Sequence, residues 1–447
     1  MKYKYQQLRL SSLNNNLFHR ISSADNIKDA YDKCFKNCKP KRRHFYTDIE
    51  KYMRIVSGLI SSGDYKVRFR ESFILKEGRK ERLITPMTFA DKVVQEAIIK
   101  HCEPIFNRCF IPNTFQSIKG RGIHMASEKI FKSIKILQNC KDLLAKSNKK
   151  ITKEEKKQYE NIEKQEVYFL HTDIKKYYQS IDKHILMEII SKKILCEKTR
   201  ELIWGCIKER GVVIGANISQ FLANMYLYHI DHMFYGLNSG KWNAVKYFRY
   251  ADDMVFLCRD KATLEWCRDK LQEEITKLKL VHSKVKLAKL PSLLEYKLDK
   301  HTPTLDTLGY VFYTDAKHVR DSIKKKLQKA ISKGKERSIP SLVGHFKWAH
   351  AQNLLRLMGF IKKKGKWKLA YPYQNKKSHI EYVKQLRVER FEEESQEFLE
   401  YKKVLPNGDE IIDLEKYELV ERNRKCKMER IDKLFEGIDL EDRKNWC

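Results

Sequence analysis

The sequence predicts an α+β fold, with a mixed or antiparallel sheet backed by helices. Short apolar runs rich in aromatic and β-branched residues, such as residues 167–172 and 247–250, are separated by longer segments with apolar residues every three or four positions. These strands and helices alternate irregularly, which disfavours a doubly wound parallel sheet. Since 42% of the 447 residues are hydrophobic, the chain can bury a large core, divided over two or three lobes.

The first part of the chain is predicted to be helical and then to form a hairpin. Residues 1–64 carry Leu, Ile, Tyr and Phe at helical spacing. Residues 65–86 change to an alternating pattern, with Gly78 where a turn would lie. An amphipathic helix is then expected from Asp91 to about His101.

Two later segments join apolar strands to aspartates. Asp173 follows the apolar run that begins at Val167, and Asp252 and Asp253 lie between two further apolar runs. The second pattern predicts a β-hairpin with adjacent acidic residues at its turn. Carboxylates placed in this way could hold two Mg²⁺ ions about 3.5–4 Å apart, the arrangement used for in-line phosphoryl displacement. Taken alone, an Asp-Asp pair is more typical of an ordinary turn.

The remaining segments differ in composition. Residues 141–166 are rich in Lys and Glu, which predicts a solvated helical insertion. A third strand pair is predicted near residues 285–289 and 308–313. Residues 391–447 hold 17 acidic and 11 basic residues, a net charge of −6, and form a candidate appended segment.

The charge balance indicates a polyanionic partner. The chain has 91 Lys and Arg against 58 Asp and Glu, so its net charge is +33, and residues 1–390 alone carry +39. Such an excess favours nucleic acid, because neutralised phosphates release counterions. No apolar run approaches the roughly 20 residues that cross a bilayer, and no signal peptide is visible. We therefore expect a cytoplasmic protein without a membrane partner.

Several segments, in order along the chain, resemble the sequence motifs of reverse transcriptases. Tyr250-Ala251-Asp252-Asp253 resembles their YxDD box. The other matching segments are Arg82–Pro86 with Asp91–Gln95, Asp173–Tyr178, Ile214–Asn224, Leu278–Lys284 and Leu308–Tyr310. The resemblance implies a right-hand polymerase. Its parts would be an N-terminal helical segment (1–64), fingers and palm (65–315), an α-helical thumb (316–390) and an acidic extension (391–447).

The resemblance also implies a catalytic metal site. Asp173 and Asp252 would bind two Mg²⁺ ions, with Mn²⁺ as an alternative, together with the backbone carbonyl of Ile174. Asp253 would complete the catalytic and metal-binding set and support the site. A primer 3′-hydroxyl would then attack the α-phosphate of an incoming dNTP, and catalysis would consist mostly of positioning and charge neutralisation.

Further residues align with the family's nucleotide contacts. Tyr178 would be a steric gate that excludes a ribose 2′-hydroxyl, although one residue of the Tyr177–Tyr178 pair is expected to be core. Gly215 would permit close backbone approach to the nucleotide. The full set of expected dNTP-binding residues is Lys80, Arg82, Tyr178, Gly215, Gln220 and Lys284. Generic basic surface remains the alternative for Lys80, Arg82 and Lys284.

Departures from the common pattern narrow the subfamily. Retroviral and group II intron enzymes usually carry Gln and Pro where this chain has Ile214 and Gln220. This form resembles diversity-generating retroelement enzymes and bacterial defence-associated reverse transcriptases. Ser341–His350 is similar to the start of their thumb, and its aromatic residues would either stack on bases or pack in a core.

The resemblance implies RNA-directed DNA synthesis on a dedicated structured non-coding RNA, in bacterial antiphage defence. An RNA–DNA duplex would be held mainly through its phosphates. A homo-oligomer or an accessory protein remains open. The alternatives are an error-prone diversity-generating enzyme and an RNA-binding scaffold without catalysis; the presence of all three aspartates disfavours the scaffold.

Overall fold

The computed structural model divides the chain into two compact units, Met1–Lys317 and His318–Cys447. The residues it describes are 13–37, 49–77, 80–138, 166–209, 211–237, 245–333, 335–349, 351–358, 360–363, 366–369, 403–404 and 410–411. The predicted insertion, apart from its last residue, lies outside them, as does most of the acidic extension. Among the described residues, no helix is both long and apolar enough to cross a membrane.

The first unit contains a central sheet and twelve described helices. They are α1 (Leu17–Ser22), α2 (Ala24–Lys36), α3 (Ile49–Ser62), α4 (Phe89–Asn107), α5 (Ile123–Gln138), α6 (Tyr177–Ser180), α7 (Lys183–Ser191), α8 (Glu197–Gly205), α9 (Ser219–Tyr226), α10 (Tyr228–Gly236), α11 (Lys261–Lys277) and α12 (Leu293–Leu298). The predicted N-terminal helical segment therefore contains α1 to α3, and α2 packs against α4.

The central sheet is antiparallel and has four strands in the order β4–β5–β3–β6. These strands are β3 (Tyr168–Ile174), β4 (Lys246–Tyr250), β5 (Asp253–Cys258) and β6 (His282–Lys289). Because β3 lies between two neighbouring strands and packs against a helix, five of its seven residues are buried. This confirms the predicted strand and the predicted hairpin that carry the aspartates.

Helix α11 covers one face of this sheet, where it contacts β3, β5 and β6. Its N-terminus is capped by Asp260, whose carboxylate accepts hydrogen bonds from two backbone N–H groups of the first turn. Its buried residues are Leu264, Cys267, Leu271 and Ile275, which recur at helical spacing. Each fully buried leucine or isoleucine contributes roughly 1.5–3 kcal/mol to folding, so this face fixes the sheet in place.

The predicted first hairpin is confirmed as β1 (Phe73–Glu77) paired with β2 (Lys80–Ile84). Gly78, the expected turn residue, lies outside the described residues. Helix α4 begins at Phe89, two residues before the predicted start, because Thr88 caps it by accepting a hydrogen bond from the Asp91 backbone N–H. It also extends to Asn107, beyond the predicted end near His101.

The prediction that residues 285–289 and 308–313 form a strand pair is wrong. Residues 285–289 belong to β6 and pair with β3, whereas β8 (Tyr310–Phe312) pairs with β7 (Leu305–Thr307). Leu308 and Gly309 connect β7 to β8 with φ angles of 55° and 84°. Such a two-residue turn favours the local hairpin over a distant partner. β9 (Lys317–Val319) is the third strand of this small sheet.

The second unit begins with helices α13 (Asp321–Ser332), α14 (Ile339–Trp348) and α15 (Gln352–Leu357). Hairpin β10 (Phe360–Lys363) and β11 (Lys366–Leu369) follows, and then the short strands β12 (Lys403–Val404) and β13 (Glu410–Ile411). Within α14, Phe346 is fully buried. The aromatic residues of Ser341–His350 were expected either to stack on bases or to pack in a core, and Phe346 packs in the core.

Candidate active site

Asp173 and Asp252 form a carboxylate pair at the end of the central sheet. Asp173 is the penultimate residue of β3, and Asp252 lies in the turn between β4 and β5. Burial of Asp252, and then the negative charge of Asp173 beside it, raise the pKa of Asp252 to about 7. The two carboxyl groups therefore lie close enough for the charge of Asp173 to disfavour ionisation of Asp252.

The strand next to Asp173 fixes its orientation. The Ser283 hydroxyl donates to Asp173 Oδ2 at 2.9 Å and to the Asp173 carbonyl oxygen at 3.2 Å. The pairing between β3 and β6 is irregular between Asp173 and Ile174, and the Ile174 side chain is buried. Lys284 is the register partner of Asp173, and its side chain is exposed.

Asp253 is held by two donors. The His171 imidazole contacts Asp253 Oδ1 through Nε2 at 2.8 Å, and the Thr307 hydroxyl donates to Oδ2 at 2.7 Å. His171 Nδ1 is buried and has no hydrogen-bond partner among the described residues. Because an unpaired buried N–H is costly, we assign the imidazole proton to Nε2, which then donates to Asp253.

A buried ion pair supports the two-aspartate turn from within the core. The side chains of Arg249 and Asp231 are both fully buried and are joined by hydrogen bonds of 2.6 Å. Arg249 also donates to the Ala251 carbonyl at 2.9 Å and to the Asn224 side chain at 3.2 Å. Burial opposes the charge of Arg249, but Asp231 reverses that effect and raises the pKa of Arg249. Arg249 is therefore a permanent cation beneath the turn.

Ala251 explains why the turn needs this support. Its φ is +57°, in the left-handed region that costs a residue with a Cβ atom roughly 1–2 kcal/mol. The hydrogen bond from Arg249 holds the Ala251 carbonyl in that conformation. The turn therefore presents Asp252 and Asp253 from a fixed backbone.

Gly215 makes a close contact between two distant parts of the chain. Its φ is +118°, and a Cβ atom there would lie 2.7 Å from the Thr85 carbonyl oxygen. The Thr85 N–H donates to the Ile214 carbonyl at 3.0 Å, and buried Gln95 accepts from the Asn217 N–H. The close approach that the sequence predicted at Gly215 thus includes the protein's own backbone. Its approach to a nucleotide stays a prediction.

The predicted triphosphate contacts lie on the first hairpin. Lys80 begins β2 opposite Glu77, and its side chain lies outside the described residues. Arg82 lies further along the same strand with an exposed side chain. An isolated bridge between Ile84 and Ile214 joins the end of this hairpin to the segment that contains Gly215.

The two tyrosines after Asp173 have different surroundings. Tyr177 is buried and donates to the Ala223 carbonyl at 2.5 Å, which confirms that one of the pair belongs to the core. Tyr178 is partly buried, and its hydroxyl accepts a hydrogen bond from Gln116 at 3.4 Å. Burial, and then the charge of Asp252, raise the pKa of Tyr178. The gate candidate is thus a neutral phenol near the carboxylate pair.

Gln220 lies in the first turn of α9 and is exposed. Its side-chain oxygen accepts a hydrogen bond from the Ser117 hydroxyl. Contact between Gln220 and a nucleotide stays a prediction.

The carboxylate pair is chemically suited to a divalent cation. Within the described parts of the chain, no three or more His, Cys, Asp or Glu side chains converge as a preformed metal cage. Mg²⁺ does not need one, because it is usually bound by one or two carboxylates together with substrate phosphates and water. The pKa of Asp252 is raised by burial and then by the negative charge of Asp173, and a bound cation would offset both effects. Asp173 and Asp252 are therefore the residues that fit the metal.

Comparison with known proteins decides the family. Residues 74–312, more than half of the chain, match the family described as reverse transcriptase (RNA-dependent DNA polymerase). The chain belongs to this family. The predicted enzyme class, an RNA-directed DNA polymerase, and the predicted α+β polymerase fold are thereby confirmed.

Individual relatives of this reverse transcriptase are distant. Protein YkfC of Escherichia coli K12 is 23% identical over 281 residues, which cover 53% of this chain and 67% of YkfC. Apo telomerase of Candida tropicalis, truncated from its C-terminal domain, has a TM-score of 0.40 and 12% identity, with 58% of each chain covered. Candida albicans telomerase, in complex with a fragment of telomeric RNA, has a TM-score of 0.38 and 10% identity over 80% of this chain and 68% of its own.

Several supporting residues escaped sequence reasoning. The residues in question are Gln116, His171, Asp231, Arg249, Ser283 and Thr307. Their partners can be more than 100 positions away along the chain, as for Ser283 and Asp173, which are 110 positions apart. The one local signal was Arg249, a charged residue between the aromatic residues Phe248 and Tyr250, where a buried partner is required.

Proposed function

We propose that this reverse transcriptase copies a dedicated structured non-coding RNA into DNA in bacterial antiphage defence, acting in the cytoplasm. The observation that carries its catalytic part is the Asp173–Asp252 pair, two neighbouring carboxylates at the end of the central sheet, where burial and the charge of Asp173 raise the pKa of Asp252. The subfamily rests on Ile214 and Gln220, which make the Ile214–Asn224 segment resemble that of defence-associated and diversity-generating enzymes. The net charge of +33 supports an RNA partner.

The proposed reaction is attack of a primer 3′-hydroxyl on the α-phosphate of a dNTP, with release of pyrophosphate. Two divalent cations, bound by Asp173, Asp252 and the Ile174 carbonyl, would supply charge neutralisation and an activated hydroxyl. Ser283 orients Asp173 through its hydrogen bond. Asp253 adds negative charge at the same turn and supports the site. Because the turn is anchored to Arg249, these groups need little reorganisation during the reaction.

The remaining roles concern the nucleotide. Arg82, with Lys80, would bind the triphosphate, since a guanidinium suits bidentate phosphate contact. Lys284, exposed opposite Asp173, would give a proton to the departing pyrophosphate.

The sugar and base of the nucleotide would contact other residues. The ring of Tyr178 would exclude a ribose 2′-hydroxyl, and Gln116 would hold that ring through its hydroxyl. Gly215 and Gln220 would lie along the bound nucleotide.

The test of this proposal is polymerisation by the purified full chain with its co-purified RNA, labelled dNTPs or NTPs and Mg²⁺. DNA products whose sequence copies one bound RNA faithfully would support the proposal. Errors concentrated at template adenines would favour a diversity-generating enzyme instead. Tightly bound RNA with no product from any nucleotide would contradict both and favour a scaffold.

A further inference from the structure

A chain of three side chains connects the catalytic turn to the small sheet that follows it. Asp253, the first residue of β5 after the turn, accepts hydrogen bonds from His171 on β3 and from Thr307 on β7. The donors lie 82 and 54 positions from Asp253 in the sequence. One donor contacts each carboxylate oxygen, so rotation of the carboxylate about its terminal bond would break both hydrogen bonds.

The donors are themselves fixed. His171 is 5% exposed and Thr307 is 1% exposed, whereas the Asp253 side chain is 28% exposed. The partly exposed carboxylate is thus oriented by two buried groups.

We propose that His171 and Thr307 are positioning residues for DNA synthesis, which act by fixing the orientation of the Asp253 carboxylate. Through Thr307, that orientation also depends on the hairpin formed by β7 and β8. The inference rests on the proposed catalytic role of Asp253. It follows from the sensitivity of such reactions to geometry, since a misplacement of about 1 Å can cost roughly a hundredfold in rate.

The test removes the hydroxyl group of one donor residue while it keeps the size and branching of that side chain. Thr307→Val deletes the hydroxyl, and Thr307→Ser restores it. We expect Thr307→Val to lower kcat for dNTP incorporation about tenfold while KM for dNTP stays within about twofold, because the orientation matters in the transition state. Thr307→Ser is expected to return kcat to within about twofold of the unmodified protein.

The matched control is Thr302→Val. The Thr302 hydroxyl also donates to an aspartate, Asp299 Oδ2 at 3.0 Å, but this hydrogen bond is exposed to solvent, and Thr302 lies five residues before Thr307. Thr302→Val is therefore expected to keep full activity. An equal loss in both variants would overturn the inference, as would full activity in Thr307→Val or failure of serine to restore kcat.

Two further variants separate a positioning role from a folding defect. His171→Phe keeps a ring but removes the other donor, which lies in a different element, and it is expected to lower kcat with the same unchanged KM. In an Asp253→Asn background, Thr307→Val should cause no additional loss, because it acts through that carboxylate; additive losses would overturn the inference. Asp252→Ala, measured in parallel, tests the catalytic assignment itself, and its full activity would defeat the proposed function as well.

Discussion

Replacement of Asp252 with asparagine should stabilise the metal-free protein at alkaline pH while it removes a carboxylate required for synthesis. Burial and the neighbouring Asp173 raise the pKa of Asp252 from the ordinary value of 3.8 to about 7. A carboxyl group with a raised pKa in the folded state favours folding while it is protonated. That contribution is lost as the pH rises from 3.8 through 7.

The size of the effect follows from this shift. Each pKa unit corresponds to about 1.4 kcal/mol, so a shift of about three units sets an upper limit near 4 kcal/mol. Asp252 retains some contact with solvent, and we expect about half of that limit for the neutral asparagine at pH 8. A gain of about 2 kcal/mol raises Tm by roughly 4 °C in a domain of this size.

Thermal unfolding in EDTA at pH 8 and pH 5.5 measures this prediction. The Tm of Asp252→Asn should be higher than that of the unmodified protein at pH 8. The difference in Tm should be smaller at pH 5.5, where Asp252 is protonated in the folded protein. Asp182→Asn is the matched control. Hydrogen bonding to Lys279 lowers the pKa of Asp182, so this change should not raise Tm. A Tm for Asp252→Asn equal to or below that of the unmodified protein at pH 8 would refute the reasoning.

Three further predictions concern the support of the site and its selectivity. Gly215→Ala places a methyl group 2.7 Å from a backbone carbonyl at a φ of +118°, and it should cost about 2 kcal/mol in chemical denaturation. Gly58→Ala, where a Cβ atom meets no neighbour, should cost nothing, and equal losses would contradict the contact. Asp231→Asn leaves Arg249 as an uncompensated buried charge, so unfolding in urea should show a loss of about 3 kcal/mol; a loss below 1 kcal/mol would count against the network. Tyr178→Ala should raise incorporation of NTPs relative to dNTPs about tenfold or more, and an unchanged ratio would exclude Tyr178 as the gate.

Local patterns were sufficient to predict the elements that carry the aspartates. Apolar runs next to Asp173 and around Asp252 and Asp253 specify short buried strands, and their order along the chain matches a family motif series. The structure places Asp173 and Asp252 side by side. The nucleotide-binding roles of the predicted residues stay predictions.

Long-range partners could not be predicted from the same patterns. β6 pairs with β3 and not with residues 308–313. Those residues form a local hairpin instead, because the turn at Leu308 and Gly309 has two positive φ angles. Hydrogen bonds between Thr307 and Asp253, or between Arg249 and Asp231, join residues whose separation follows no periodicity. Sequence periodicity reports which face of an element is buried but does not report what it contacts.

The most direct test of the account is DNA synthesis by the full chain and by Asp252→Ala on a defined RNA template annealed to a DNA primer, with dNTPs and Mg²⁺. The account predicts primer extension by the unmodified protein and a loss of at least about a thousandfold in the variant, with RNA binding retained. Extension by Asp252→Ala at the normal rate would contradict the assignment of the Asp173–Asp252 pair as the catalytic centre.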